Sequence, residues 1–107
     1  KADTLNLVER KKLEVSKALS TSPRLVLFDE VMAGLNPSET VEMITFIGKL
    51  RDRGLTILLI EHLMKVIMTL SDRVVVLDYG RKICEGNPQE VANNAQVIEA
   101  YLGKSNA

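Results

Sequence analysis

Leu25-Val26-Leu27-Phe28-Asp29-Glu30 sets four apolar residues against two adjacent carboxylates, and Pro23 separates the run from whatever helix precedes it. A short apolar run that stops this abruptly reads as a strand buried on both faces of a parallel sheet. Leu55-Thr56-Ile57-Leu58-Leu59-Ile60, followed at once by Glu61-His62, repeats the pattern and reads as a second buried strand. Between the two, Gly34 and Asn36-Pro37 mark a loop and a helix start, and Glu39, three residues after Asn36, has the spacing of a capping box. Met43, Phe46, Ile47 and Leu50 fall at i, i+3, i+4, i+7, which predicts an amphipathic helix to about Arg53, closed by Gly54.

Outward from that centre, Asn6 with Glu9 three residues on has the spacing of a capping box, and a helix is predicted from Leu7 to Ser20 with Val15, Ala18 and Leu19 on one side. Downstream, Leu63, Val66, Ile67 and Leu70 predict a short helix. Arg73 to Leu77 and Arg81 to Glu85 read as strands joined by a Tyr79-Gly80 turn into a hairpin. Asn87-Pro88-Gln89-Glu90 is another cap, proline and Glu arrangement, opening a terminal helical region with Val97, Ile98, Tyr101 and Leu102. The alternation predicts an α/β layered fold with at least two parallel strands.

The 107 residues have the composition of an ordinary globular sequence and fit one domain. With 14 basic and 14 acidic residues, two Tyr, two Phe and no Trp, nothing gathers nucleic acid, and the one dense basic run, Arg10-Lys11-Lys12, reads as a solvated helix face. Cys84 is the single cysteine, so no internal disulfide forms and no cluster of Cys and His offers a zinc site. The apolar stretches are too short to span a bilayer, and no signal-peptide pattern follows Lys1. The four methionines, Met32, Met43, Met64 and Met68, read as core filler.

Ligands of open α/β sheets bind beyond the carboxyl ends of strands, which is where Asp29, Glu30 and His62 are expected to converge. A carboxylate there can hold magnesium, a second can polarise an attacking water, and an imidazole can reach a terminal phosphate. Taken singly, the acids read as a polar loop and His62 as a helix start; two strand ends carrying all three favour a functional site.

These residues carry a resemblance. Leu25 to Glu30 resembles the Walker B motif of ATP-binding cassette (ABC) ATPases, Ala33-Gly34-Leu35-Asn36-Pro37 resembles their D-loop, and His62 their switch histidine. Leu5-Asn6-Leu7-Val8-Glu9 stands in the place of the LSGGQ signature, and Asp72 to Gly80 and Glu85 to Pro88 resemble the family's late strands and following helix. Val31 to Pro37 and the tail Asn94 to Gly103 resemble the ATP-binding subunits of branched-chain amino-acid importers.

The resemblance implies a partial P-loop NTPase fold, a largely parallel sheet flanked by helices with a C-terminal β-hairpin. It implies that Asp29 helps hold Mg2+, that Glu30 is the general base and that His62 contacts the γ-phosphate of ATP. Asn6, Leu7, Val8 and Glu9 would cap the ATP of a second ATP-binding subunit, and Gly34, Leu35 and Asn36 would face that subunit. Transmembrane permease subunits and a cytoplasmic place on the inner face of the membrane follow from the same likeness. No GxxxxGK[ST] phosphate loop stands in the sequence, so a C-terminal fragment that holds ATP weakly and self-associates through unpaired strand edges is expected.

The signature position departs from the family, with Leu7 and Val8 where two glycines let the backbone approach phosphate. That implies either a weakened site or two apolar residues that staple the first helix to its neighbours. Beside the transport ATPase stand two other readings: a binding or dimerisation module without catalysis, and a soluble ABC ATPase of another process, such as DNA repair or translation.

Overall fold

The computed structural model describes the backbone of residues 6–105 and the side chains of residues 6–101. Leu5 of the signature-like segment and the side chain of Leu102 lie outside the described residues. The chain divides into two units between His62 and Leu63.

The first unit runs α1 (Leu7–Leu19), β1 (Leu25–Asp29), α2 (Pro37–Asp52) and β2 (Thr56–Ile60). Both helices begin as the spacing predicts. The Asn6 side chain accepts from the Glu9 N–H while the Glu9 carboxylate accepts from the Asn6 N–H, and Asn36 and Glu39 repeat the exchange at α2 with Pro37 in the first turn. Each box satisfies two backbone donors that a helix start otherwise leaves open, worth about 1 kcal/mol per cap. Gly54, at φ +96°, takes the left-handed conformation that ends α2 and returns the chain to β2.

The helices meet through Lys12, whose ammonium lies 3.1 Å from the Glu42 carboxylate and 5.5 Å from the centre of the Phe46 ring. One member of the basic run is therefore an α1–α2 contact. Val8 and Val15 of α1, Val26 and Phe28 of β1, Met32 of the following loop, and Met43, Ile44 and Ile47 of α2 are the unit's buried apolar residues. At about 1.5–3 kcal/mol for each fully buried side chain, they dominate its stability.

β1 and β2 pair in parallel, with Leu25 opposite Thr56, Leu27 opposite Leu58 and Asp29 opposite Ile60. The expectation of strands buried on both faces does not hold. Val26 and Phe28 are buried, whereas Leu25, Leu27, Leu58 and Ile60, which share the other face by pleat and register, are all exposed. An apolar run records that both faces avoid water in the finished fold, but among the described residues only one face is covered.

The second unit comprises α3 (Met64–Leu70), β3 (Val74–Asp78), β4 (Arg81–Gly86), α4 (Pro88–Ala92) and α5 (Ala95–Ser105). β3 and β4 form the predicted hairpin. Tyr79 and Gly80, at φ +51° and +77°, make its two-residue turn in the doubly left-handed form that suits strand twist. The register slips between Val76, opposite Cys84, and Leu77, opposite Lys82, so Ile83 is a bulge residue. Asn87 and Glu90 form a third capping box, at α4. Val74, Val91 and Val97 make the buried centre, with Met64, Ile67, Val76, Ile83 and Cys84 packed against it.

The strands thus form two two-stranded sheets, one parallel and one antiparallel, where the sequence reading expected a largely parallel sheet ending in a hairpin. Among the described residues the hairpin strands bond only to each other. The terminal helical region is two helices, because Asn94 caps a fresh start: its side chain accepts from the N–H groups of Gln96 and Val97. No helix among the described residues is long and apolar enough to cross a membrane.

Candidate active site

The parallel register carries β1 and β2 to a common end, Asp29 beside Ile60. The next N–H, of Glu30, donates to the Ile60 carbonyl at 2.9 Å, extending the ladder by one bond. Glu30 then turns left-handed, at φ +52°, a conformation that costs a residue with a Cβ about 1–2 kcal/mol. Past that corner two tight turns follow, with Ala33 N–H donating to the Glu30 carbonyl and Leu35 N–H to that of Met32.

Here the Glu30 Oε1 lies 3.9 Å from the His62 Nε2. The side chains are 55% and 74% exposed, so water screens them from each other, and an ion pair of this kind contributes about 0–1 kcal/mol even when the imidazole is protonated. The backbone, not the pair's attraction, sets the spacing. Asp29 is exposed at the same strand end. Among the described residues no three His, Cys, Asp or Glu side chains gather as a metal site. Magnesium, however, takes one or two carboxylates when phosphate oxygens and waters complete its shell, and Asp29 fits that donor set.

The loop leading to α2 is held from both sides. Met32 is buried, and its N–H donates to the Glu61 carboxylate at 3.4 Å; the other oxygen of Glu61 accepts from the His62 N–H at 3.3 Å. Sequence reading passed over Glu61, and its position between an apolar strand and His62 was the available signal. Gly34 has φ +81°, and a Cβ there would lie 3.0 Å from Leu7 Cδ2. The D-loop-like segment and the signature-like segment therefore meet within one chain. Asn36 spends its side chain on the Glu39 N–H at 2.8 Å, and Asn6 spends its own on the Glu9 N–H at 2.9 Å. Val8 is 1% exposed, so it packs as a core residue, while Leu7 stays partly exposed. An open cleft of about 320 Å³ runs between α1, at Lys11, Glu14, Val15 and Ala18, and the stretch from Val26 to Val31.

Comparison with known proteins shows what this arrangement is similar to. Residues 81–106 match the family described as branched-chain amino acid ATP-binding cassette transporter. The high-affinity branched-chain amino acid transport ATP-binding protein BraF of Pseudomonas aeruginosa is 42% identical over 105 residues, 97% of this chain and 41% of BraF. The corresponding protein LivG of Salmonella typhimurium is 43% identical over the same shares. Among solved structures, the ATP-binding cassette MJ1267 of an ABC transporter, in its ADP conformation, matches with a TM-score of 0.82 at 29% identity, covering 94% of this chain and 41% of that one.

A parallel strand pair ending in Asp-Glu and His, together with these relatives, makes nearly the whole of this chain similar to part of an ATP-binding cassette. The curated relatives named here are ATP-binding proteins of branched-chain amino-acid transport. It spans about two fifths of the length of the curated relatives it matches.

Proposed function

We propose that this chain supplies the hydrolytic strand ends of an ATPase subunit that powers import of branched-chain amino acids. The observation that carries the reading is the parallel register that brings Glu30 within 3.9 Å of His62. The Glu30 carboxylate takes the proton of the attacking water, and His62 donates to the γ-phosphate oxygens as charge builds there. Asp29 holds Mg2+, which supplies charge neutralisation at the phosphates when bound. No bond between the protein and the phosphoryl group is required, so positioning and electrostatics do the work.

In the complete cassette both units belong to one ATP-binding domain, and the strand pairs join a larger, mostly parallel sheet. The exposed face formed by Leu25, Leu27, Leu58 and Ile60 supports that extension. Residues 6–9 and the loop Gly34-Leu35-Asn36 face a second ATP-binding subunit, permease subunits couple the cycle to transport, and the assembly works at the inner face of the membrane. The names of the relatives, ATP-binding proteins of amino-acid transport, support the substrate and the membrane partner. Lacking a GxxxxGK[ST] loop, the chain alone holds ATP weakly.

Glu30→Gln in a complete cassette carrying this chain tests the assignment. Nucleotide binding should stay within about twofold of wild type while turnover falls by at least about a hundredfold. Wild-type turnover in that variant would refute Glu30 as the base. Tight binding of Mg-ATP by the 107-residue chain alone would refute the division of labour.

A further inference from the structure

Glu61 stands outside the triad of Asp29, Glu30 and His62, yet its half-buried carboxylate touches both strands' exits. One oxygen accepts from the Met32 N–H at 3.4 Å and the other from the His62 N–H at 3.3 Å. Met32 is the anchor of the loop it begins. Its side chain is 3% exposed, its carbonyl closes the turn to Leu35, and it lies two residues past the left-handed corner at Glu30. A carboxylate that accepts two backbone N–H groups from different segments ties those segments together, here through two bonds at the long end of the N–H···O range.

We propose that Glu61 is a positioning residue: it clamps the loop after β1 to the end of β2, and so sets the distance between the Glu30 carboxylate and the His62 imidazole. The clamp supplies, at a strained and solvent-exposed corner, a restraint that the weak Glu30–His62 attraction does not. It also ties hydrolysis to the D-loop-like segment, since Met32 fixes the same loop that continues through Gly34 to Asn36. The catalytic consequence rests on the reading of Glu30 and His62 given above; the clamp does not.

The test has two arms. In the 107-residue chain, amide hydrogen exchange reads the clamp directly. Glu61→Ala should lose about tenfold of the protection at the Met32 and His62 amides, leaving the Glu9 amide, capped by Asn6 in α1, unchanged. Glu61→Gln, whose amide oxygen accepts one of the two bonds, should fall between. Unchanged Met32 protection in Glu61→Ala overturns the clamp. In a complete cassette, Glu61→Ala should lower kcat by roughly tenfold to a hundredfold with KM for ATP within about twofold, and Glu61→Gln should recover part of the loss. A wild-type kcat in Glu61→Ala, or a loss carried by KM alone, overturns the positioning role. Wild-type turnover in Glu30→Gln would sink the reading of Glu30 instead, and would leave the exchange result standing.

Discussion

The Glu30 carboxylate and the His62 imidazole stand 3.9 Å apart without either holding the other in place. Two opposite charges at that distance in water attract by about 1 kcal/mol before screening, no more than the backbone cost of the left-handed Glu30. The parallel ladder, extended one bond past the strands by the Glu30 N–H on the Ile60 carbonyl, brings the two strand ends level, and the Glu61 contacts to the Met32 and His62 N–H groups act beyond it.

His62→Ala should therefore leave the fold alone. We expect a change in unfolding free energy below about 0.5 kcal/mol by denaturant titration of this chain, the usual effect of an exposed substitution. In a complete cassette the same change should lower ATP turnover on the order of a hundredfold. A loss of stability of several kcal/mol would mean that the pair, not the ladder, holds the strand ends.

Val8 sits where the family carries a glycine, and its burial decides what restoring that glycine does. Val8→Gly removes a side chain that is 1% exposed and puts a glycine in the first turn of α1. The combined cavity and propensity cost should be about 2–4 kcal/mol. No gain in ATP turnover should accompany it in a complete cassette, as the stapling reading requires. A neutral effect on stability together with faster turnover would favour a weakened signature site.

Glu85 gives the hairpin an acid limit. Its carboxylate is held below the ordinary glutamate range, first by the Lys82 ammonium at 2.9 Å and then by the Arg73 guanidinium at 2.7 Å. Because the folded value is the lower one, the contribution is complete above the unfolded value and is lost as pH falls through the folded one. Glu85→Gln should flatten the acid side of the stability profile while changing little in shape at neutral pH. Superimposable acid limbs for the two proteins would remove Glu85 from the account.

The open face of the parallel pair should govern the behaviour of the chain by itself. Leu27 and Leu58 are neighbours in register, 56% and 55% exposed. Contiguous apolar surface of this kind drives association, and we expect light scattering to find oligomers at micromolar concentration. Leu27→Glu with Leu58→Glu should shift the population toward monomer by placing like charges side by side. A monodisperse monomer for the unaltered chain would contradict the expectation of self-association.

Three capped starts were legible, because the signal is local: Asn6 with Glu9, Asn36 with Glu39 and Asn87 with Glu90 are three residues apart and need no tertiary partner, whereas the cap at Asn94 was missed. The Tyr79-Gly80 turn was readable for the same reason. Strand burial was misread, since Leu25 and Leu27 state only that apolar surface exists and not whether anything covers it. The role of Glu61 was not readable, because its partner Met32 is 29 positions away.

Asp29, Glu30 and His62 were singled out by residue type and by their place after apolar runs, information the chain carries in one dimension. That the runs pair in parallel with Asp29 opposite Ile60 and not one residue out, that Val8 turns inward, and that Glu61 spans two loops are decisions of the tertiary structure. Register and burial depend on contacts between segments distant in sequence, and a one-residue slip would send every side chain of a strand to the opposite face.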